Sequence, residues 1–104
     1  MKLSEIRSSF ETMGKFFAQF TDMEFSQDSS LSELNQHFKE MFLNLIEKTH
    51  QHNSWFTPDS ISLSLASWAE ALTKENLDRW LNMYPDLPVE NTQPKTIGMV
   101  MAGN

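Results

Sequence analysis

Apolar residues recur along the first twenty positions at gaps of three and four: Leu3, Ile6, Phe10, Met13, Phe17 and Phe20. That period predicts an amphipathic helix with those side chains on its buried face, and Ser4 is a candidate cap near its start. The period lapses over Thr21 to Ser29, where Asp and Ser collect, so this stretch reads as a loop. Ser30 and Glu33 then stand at capping-box spacing and predict the start of a second helix. Its expected buried face is Leu34, Phe38, Met41, Phe42, Leu45 and Ile46, and the polar string Glu47 to Ser54 is expected to end it. Thr57 followed by Pro58 predicts a capped third helix with Ile61, Leu65, Trp68, Ala69 and Leu72 facing inward. Thr73 is placed to cap a shorter fourth helix that buries Leu77, Trp80 and Leu81.

The texture changes after Tyr84. Pro85, Pro88 and Pro94 exclude a regular helix and mark an extended connector. Beyond it, Ile97, Met99, Val100 and Met101 form a nearly all-apolar run, which suits a strand buried between two layers of a parallel α/β sheet. An isolated strand leaves its ladder groups unsatisfied, so this one needs partners outside the chain. The expected architecture is therefore mostly α. Residues 1–84 form about four amphipathic helices, 85–95 a Pro-rich connector, and 96–104 a first strand and Gly-Asn turn that would belong to an α/β cofactor-binding domain in a longer parent.

Composition narrows the function classes. A chain of 104 residues supports one domain with a modest core. With 39% hydrophobic and 21% charged residues it belongs with soluble globular proteins rather than disordered ones. A net charge of -6, with the eight Lys and Arg residues scattered, argues against a nucleic-acid surface. The absence of cysteine removes a thiolate nucleophile, a disulfide framework and a Cys-based zinc site. No segment approaches the ~20 apolar residues of a membrane span, and Glu5 and Glu11 interrupt the N-terminus too early for a signal peptide. The expected location is cytoplasmic.

Candidate chemistry is sparse. His50 and His52 lie two apart, not on one helical face, and read as a solvated helix end rather than a metal site. Trp55, Trp68 and Trp80 read as core packing in preference to a ligand platform, because their neighbours keep helical spacing. Glu70, Glu75 and Asp78 read as a solvated face. No Gly-x-Ser-x-Gly elbow or Gly-x-Gly-x-x-Gly fingerprint occurs.

Three stretches in order carry a resemblance: Asn53-Ser-Trp-Phe-Thr-Pro-Asp59; Leu65-Ala-Ser-Trp-Ala-Glu-Ala-Leu-Thr73 with Glu75-Asn-Leu-Asp-Arg-Trp80; and Pro94-Lys-Thr-Ile-Gly-Met-Val-Met-Ala-Gly-Asn104. Together they resemble the N-terminal region of bacterial acyl-CoA reductases, relatives of the bioluminescence-type fatty acyl-CoA reductases within the aldehyde dehydrogenase superfamily. The resemblance covers about residues 50 to 104. It implies a parent enzyme that attacks an acyl-CoA thioester with cysteine and reduces the acyl-enzyme to an aldehyde with NADPH or NADH. It further implies that Asn104 stands where the superfamily places an oxyanion-hole amide. The structural alternative is an Asn suited to a left-handed turn after Gly103.

On this reading the chain is the N-terminal part of an oxidoreductase, with a structural role, no cofactor of its own and no catalysis alone. Its partners would be the remainder of the reductase and, in the parent, acyl-CoA, with a homodimer through exposed apolar helices or the C-terminal strand as a further expectation. The alternative is a self-contained helical module for self-association or for binding a partner helix, which the Phe- and Met-rich first two helices would suit.

Overall fold

The structure, a computed structural model, describes residues 2–21, 24–87, 93 and 95–101. Within them the chain is mostly helical: α1 Leu3–Ala18, a 3-10 turn Ser29–Leu31, α2 Ser32–His52, α3 Pro58–Ala71 and α4 Lys74–Leu81. Each helix start has a local chemical cause. At α1, the Glu5 carboxylate accepts a hydrogen bond from the Lys2 backbone N–H at 2.9 Å, and the same carboxylate complements the positive end of the helix. Ser4 is therefore inside the first turn rather than its cap. Thr57 and Thr73 do act as expected. Their hydroxyls accept from the backbone N–H of Ser60 at 3.2 Å and of Asn76 at 3.3 Å, with Pro58 at the first position of α3.

The entry to α2 differs from expectation. Asp28 caps the 3-10 turn that precedes α2, its carboxylate accepting from the Ser30 backbone N–H at 3.0 Å and from the Ser30 hydroxyl at 2.6 Å, while α2 itself follows Leu31, which makes no side-chain cap bond. Ser30 lies inside the 3-10 turn rather than at a helix boundary, so it forms no capping box with Glu33, and α2 proper starts at Ser32. The helix also runs through most of the polar string, to His52, because a polar run on a solvated helix does not by itself break the backbone ladder. His50 and His52 then sit at its negative end.

Helix α1 packs mainly on α3 and also on α4, while α2 packs on α3 and meets α1 through side chains. The closest approach is at Gly14. A Cβ there would lie 2.8 Å from Leu72 Cβ and 3.2 Å from the Leu72 carbonyl oxygen, so only glycine admits this spacing. The buried apolar residues are Phe20, Leu31, Leu65, Leu72 and Leu77. This contact turns α1 away from the predicted face: Gly14 and Arg7 face α3 and α4, while Phe10 and Met13 are exposed. On α2 the predicted stripe divides. Leu34, Phe42 and Ile46 are half-buried, whereas Phe38, Met41 and Leu45 are exposed, Met41 at 58% and Leu45 at 59%.

One further expectation is corrected. Trp55, Trp68 and Trp80 are exposed rather than core, because the inward positions of α3 and α4 are already filled by Leu65, Leu72 and Leu77. No β-strand occurs among the described residues; 95–101 carries neither strand nor helix, and Ile97, Met99, Val100 and Met101 lie open to solvent. A backbone ladder needs a neighbouring strand, and the described chain offers only helices. Pro88 and Pro94 of the connector lie outside the described residues.

Candidate functional site: an apolar groove between α1 and α2

The arrangement of α1 against α2 starts from two amides. Gln19 closes α1 and is 2% exposed; Asn35 lies in the second turn of α2 and is 8% exposed. Gln19 Nε2 donates to Asn35 Oδ1 at 2.9 Å, and Asn35 Nδ2 donates back to Gln19 Oε1 at 2.7 Å. The same Gln19 Oε1 accepts the Asp28 backbone N–H at 3.0 Å, while the Gln19 carbonyl accepts from Ser26 N–H at 3.0 Å. One side chain thus joins the end of α1, the connecting loop and the start of α2. Every buried polar side-chain atom among the described residues has a partner, so the pair carries no desolvation penalty from unmade bonds.

Above this lock, Phe42 inserts among the rings of α1. Its centroid lies 4.7 Å from Phe20, 5.3 Å from Phe16 and 5.9 Å from Phe17, mostly edge-on, and Phe25 closes on Phe20 at 5.1 Å. Lys39 Nζ caps Phe25 at 4.0 Å from the ring centre, within cation–π range. Each aromatic pair adds about 0.5–1.5 kcal/mol beyond its buried area, so this end of the α1–α2 junction is the rigid one.

Past Phe42 the two helices leave a groove open. Met13, Phe16 and Phe17 form one wall, Leu34, Phe38, Met41 and Leu45 the other, and Ser9 and Thr12 the polar lip, around a volume of ≈ 340 Å³. The Ser9 and Thr12 hydroxyls donate to the helix carbonyls of Glu5 and Ser8, and the rest of the lining is apolar, so the groove suits an apolar occupant.

The charged side chains gather elsewhere. Arg7 reaches Glu11 at 3.2 Å and Asp78 at 3.5 Å, Lys74 reaches Asp78 at 2.9 Å, and Lys15 reaches Glu11 at 3.4 Å, linking α1 to α4. The hydrogen bond from Lys74 holds the Asp78 carboxyl below its ordinary range, with Arg7 contributing, and the same bond raises Lys74 above its own. Asp28 is likewise lowered, chiefly by the hydrogen bond from the Ser30 hydroxyl. Asp78 is therefore a member of an ion-pair network rather than a simple solvated residue, while Glu70 and Glu75 are solvent-exposed as expected.

Of the residues singled out in the sequence, Asn104 lies outside the described residues. His50 and His52 are exposed, and no group of three or more metal-ligating side chains occurs among the described residues. The described ring contacts join Trp80 to Tyr84 at 5.9 Å and do not bring the three tryptophans together. No helix of the described chain is long and apolar enough to cross a membrane. The Gln19–Asn35 pair was missed, although its signal is present: Asn35 occupies an apolar-face position in the series Leu31, Asn35, Phe38, Phe42. Compared with protein-family models, curated proteins and solved structures, the chain finds no match.

Proposed function

We propose that this chain is a helical interaction module that binds an apolar, helical surface through the groove between α1 and α2. One observation carries the reading: Phe38, Met41 and Leu45 form a continuous exposed apolar row along an open cleft whose lining is apolar apart from Ser9 and Thr12. A row of that kind at i, i+3 and i+7 is the geometry by which helices seat on helices. A contiguous exposed apolar patch of this kind marks a docking surface.

The reductase reading has the resemblance of residues 50 to 104 as its only support. In it the groove would seat the catalytic body of a longer chain, NADPH or NADH would bind that body, and the apolar run 97–101 would enter its sheet. The groove lies in residues 9 to 45, outside the resembling segment, so it supports the module reading without reference to any reductase.

Paired photo-crosslinking tests the module reading. A photoreactive residue replacing Met41 forms protein–protein adducts in the expressing cell, whereas one replacing Leu43, on the opposite side of α2, does not. Equal adduct yields at the two positions, or none at either, would contradict docking through this face.

A further inference from the structure

Taking the groove as a docking face, we infer that its occupant is a second copy of this chain: two copies pair about a two-fold axis, α2 antiparallel on α2, each seating Phe38 and Met41 in the other's α1–α2 groove. Two-fold pairing demands a surface complementary to itself. This one presents an exposed apolar row, Phe38, Met41 and Leu45, that is at once one wall of an open cleft of ≈ 340 Å³ and a surface a like row can pack against. Paired in this way, α1 and α2 of both copies make a four-helix bundle with the apolar row at its centre.

The polar flank fixes the direction. On the side of the row away from Phe42 lie Glu33, His37, Asn44 and Lys48, all exposed. Helical geometry at 100° per residue places them on one flank, and antiparallel helices oppose like flanks. With the axis between Glu40 and Met41, Lys48 and Glu33 lie equally far from it, about 11 Å along the helix. Lys48 of each copy then faces Glu33 of the other, and His37 faces Asn44. A parallel pairing would instead oppose unlike flanks, setting this polar flank against the Phe42 side of the partner helix and leaving Lys48 and Glu33 apart. Neither Glu33 nor Lys48 takes part in an ion pair among the described residues, so both are available across the interface.

The area is sufficient. The exposed portions of Phe10, Met13, Phe38, Met41 and Leu45 with their polar flank amount to on the order of 700 Å² per copy, which places the dimer within the usual 1,200–2,000 Å². The net charge of -6 on each copy opposes association, but charges more than ~8 Å apart are largely screened at physiological salt.

The test is the mass of the purified full chain in solution, by light scattering or sedimentation. The expected species has twice the 12.1 kDa of the chain. Met41→Glu weakens the dimer by about 30-fold or more, as loss of a central apolar contact does. Because Met41 is exposed, helix content stays unchanged. Glu33→Lys and Lys48→Glu each weaken association by about 2- to 5-fold, and combining them restores it. A 12.1 kDa species at every concentration would overturn the dimer while leaving docking of another partner intact, which the crosslinks at position 41 read separately. Additive rather than compensating charge swaps would overturn the antiparallel register. Removal of residues 95–104 leaves the dimer unchanged; if that deletion dissolves it and Met41→Glu does not, the exposed apolar run is the occupant and the present assignment fails.

Discussion

Gln19 ties three segments together, bonding both amide atoms of the buried Asn35 and the half-buried Asp28 N–H. Gln19→Ala leaves the Asp28 N–H and the Asn35 amide unpaired, and each such group costs about 1–3 kcal/mol. Replacing both members, Gln19→Leu with Asn35→Leu, removes donors and acceptors together and should cost much less than the sum of the single changes. Urea unfolding of the three variants checks this, and near-additive losses would show that the pair is not coupled. Gly14 is the second decisive residue. Gly14→Ala gains about 1 kcal/mol of helix propensity. The added Cβ meets Leu72 Cβ and a backbone carbonyl, neither of which can swing aside. Overpacking of this kind costs about 1–3 kcal/mol, so a net loss of stability is expected, where an exposed helical glycine would show a gain. These two residues also explain why the buried faces were only partly legible. Periodicity selected Phe10 and Met13 because they are large and apolar, whereas the actual contact is made by a residue with no side chain at all.

At the scale of elements, the helices follow from local chemistry, and the chain punctuates them legibly. Thr57-Pro58 and Thr73 announce α3 and α4, and both hydroxyls make the expected bonds. Thr57→Ala or Thr73→Ala should each lower stability by about 1 kcal/mol in chemical denaturation. The start of α2 was misread because a 3-10 turn, capped by Asp28, comes before it. Asp28 reaches the Ser30 N–H directly, and as a carboxylate it accepts more strongly than a hydroxyl. The junction of α1 with α4 carries a pH signature. Asp78 has its folded pKa lowered, so its contribution is fully present above the unfolded value near 3.8 and fades as pH falls through the lower folded value. Lys74 has its pKa raised, so its contribution is present below 10.5 and fades as pH rises through the higher folded value. Asp78→Asn should flatten the acid limb of a plot of urea midpoint against pH and remove the alkaline loss due to Lys74. Unchanged limbs would show that the pairs are not maintained in solution. Both groups are solvent-accessible, so the effect is small and is reduced by salt.

At the scale of the whole molecule, many large apolar side chains of the described residues stay open to solvent. Every large side chain that periodicity assigned to a core needed something to pack against. For Phe42, Leu65, Leu72 and Leu77 the chain itself supplies it. For Phe38, Met41 and Leu45 on α2, and for Ile97 to Met101, the described chain does not. Sequence patterning identifies which residues are apolar enough to be buried; it does not say whether the covering surface belongs to the same chain. That is why four helices could be read in advance while the groove could not, and why the apolar run after the connector read as a strand.

The most direct measurement compares three proteins by sedimentation velocity and circular dichroism: the unaltered chain, Met41→Glu in the groove and Leu43→Glu on the opposite side of α2. Association is expected in the unaltered chain and in Leu43→Glu, its loss in Met41→Glu, and the same helix content in all three. Association that survives Met41→Glu, or is lost equally in Leu43→Glu, would contradict the assignment of the α1–α2 groove as the surface through which this protein acts.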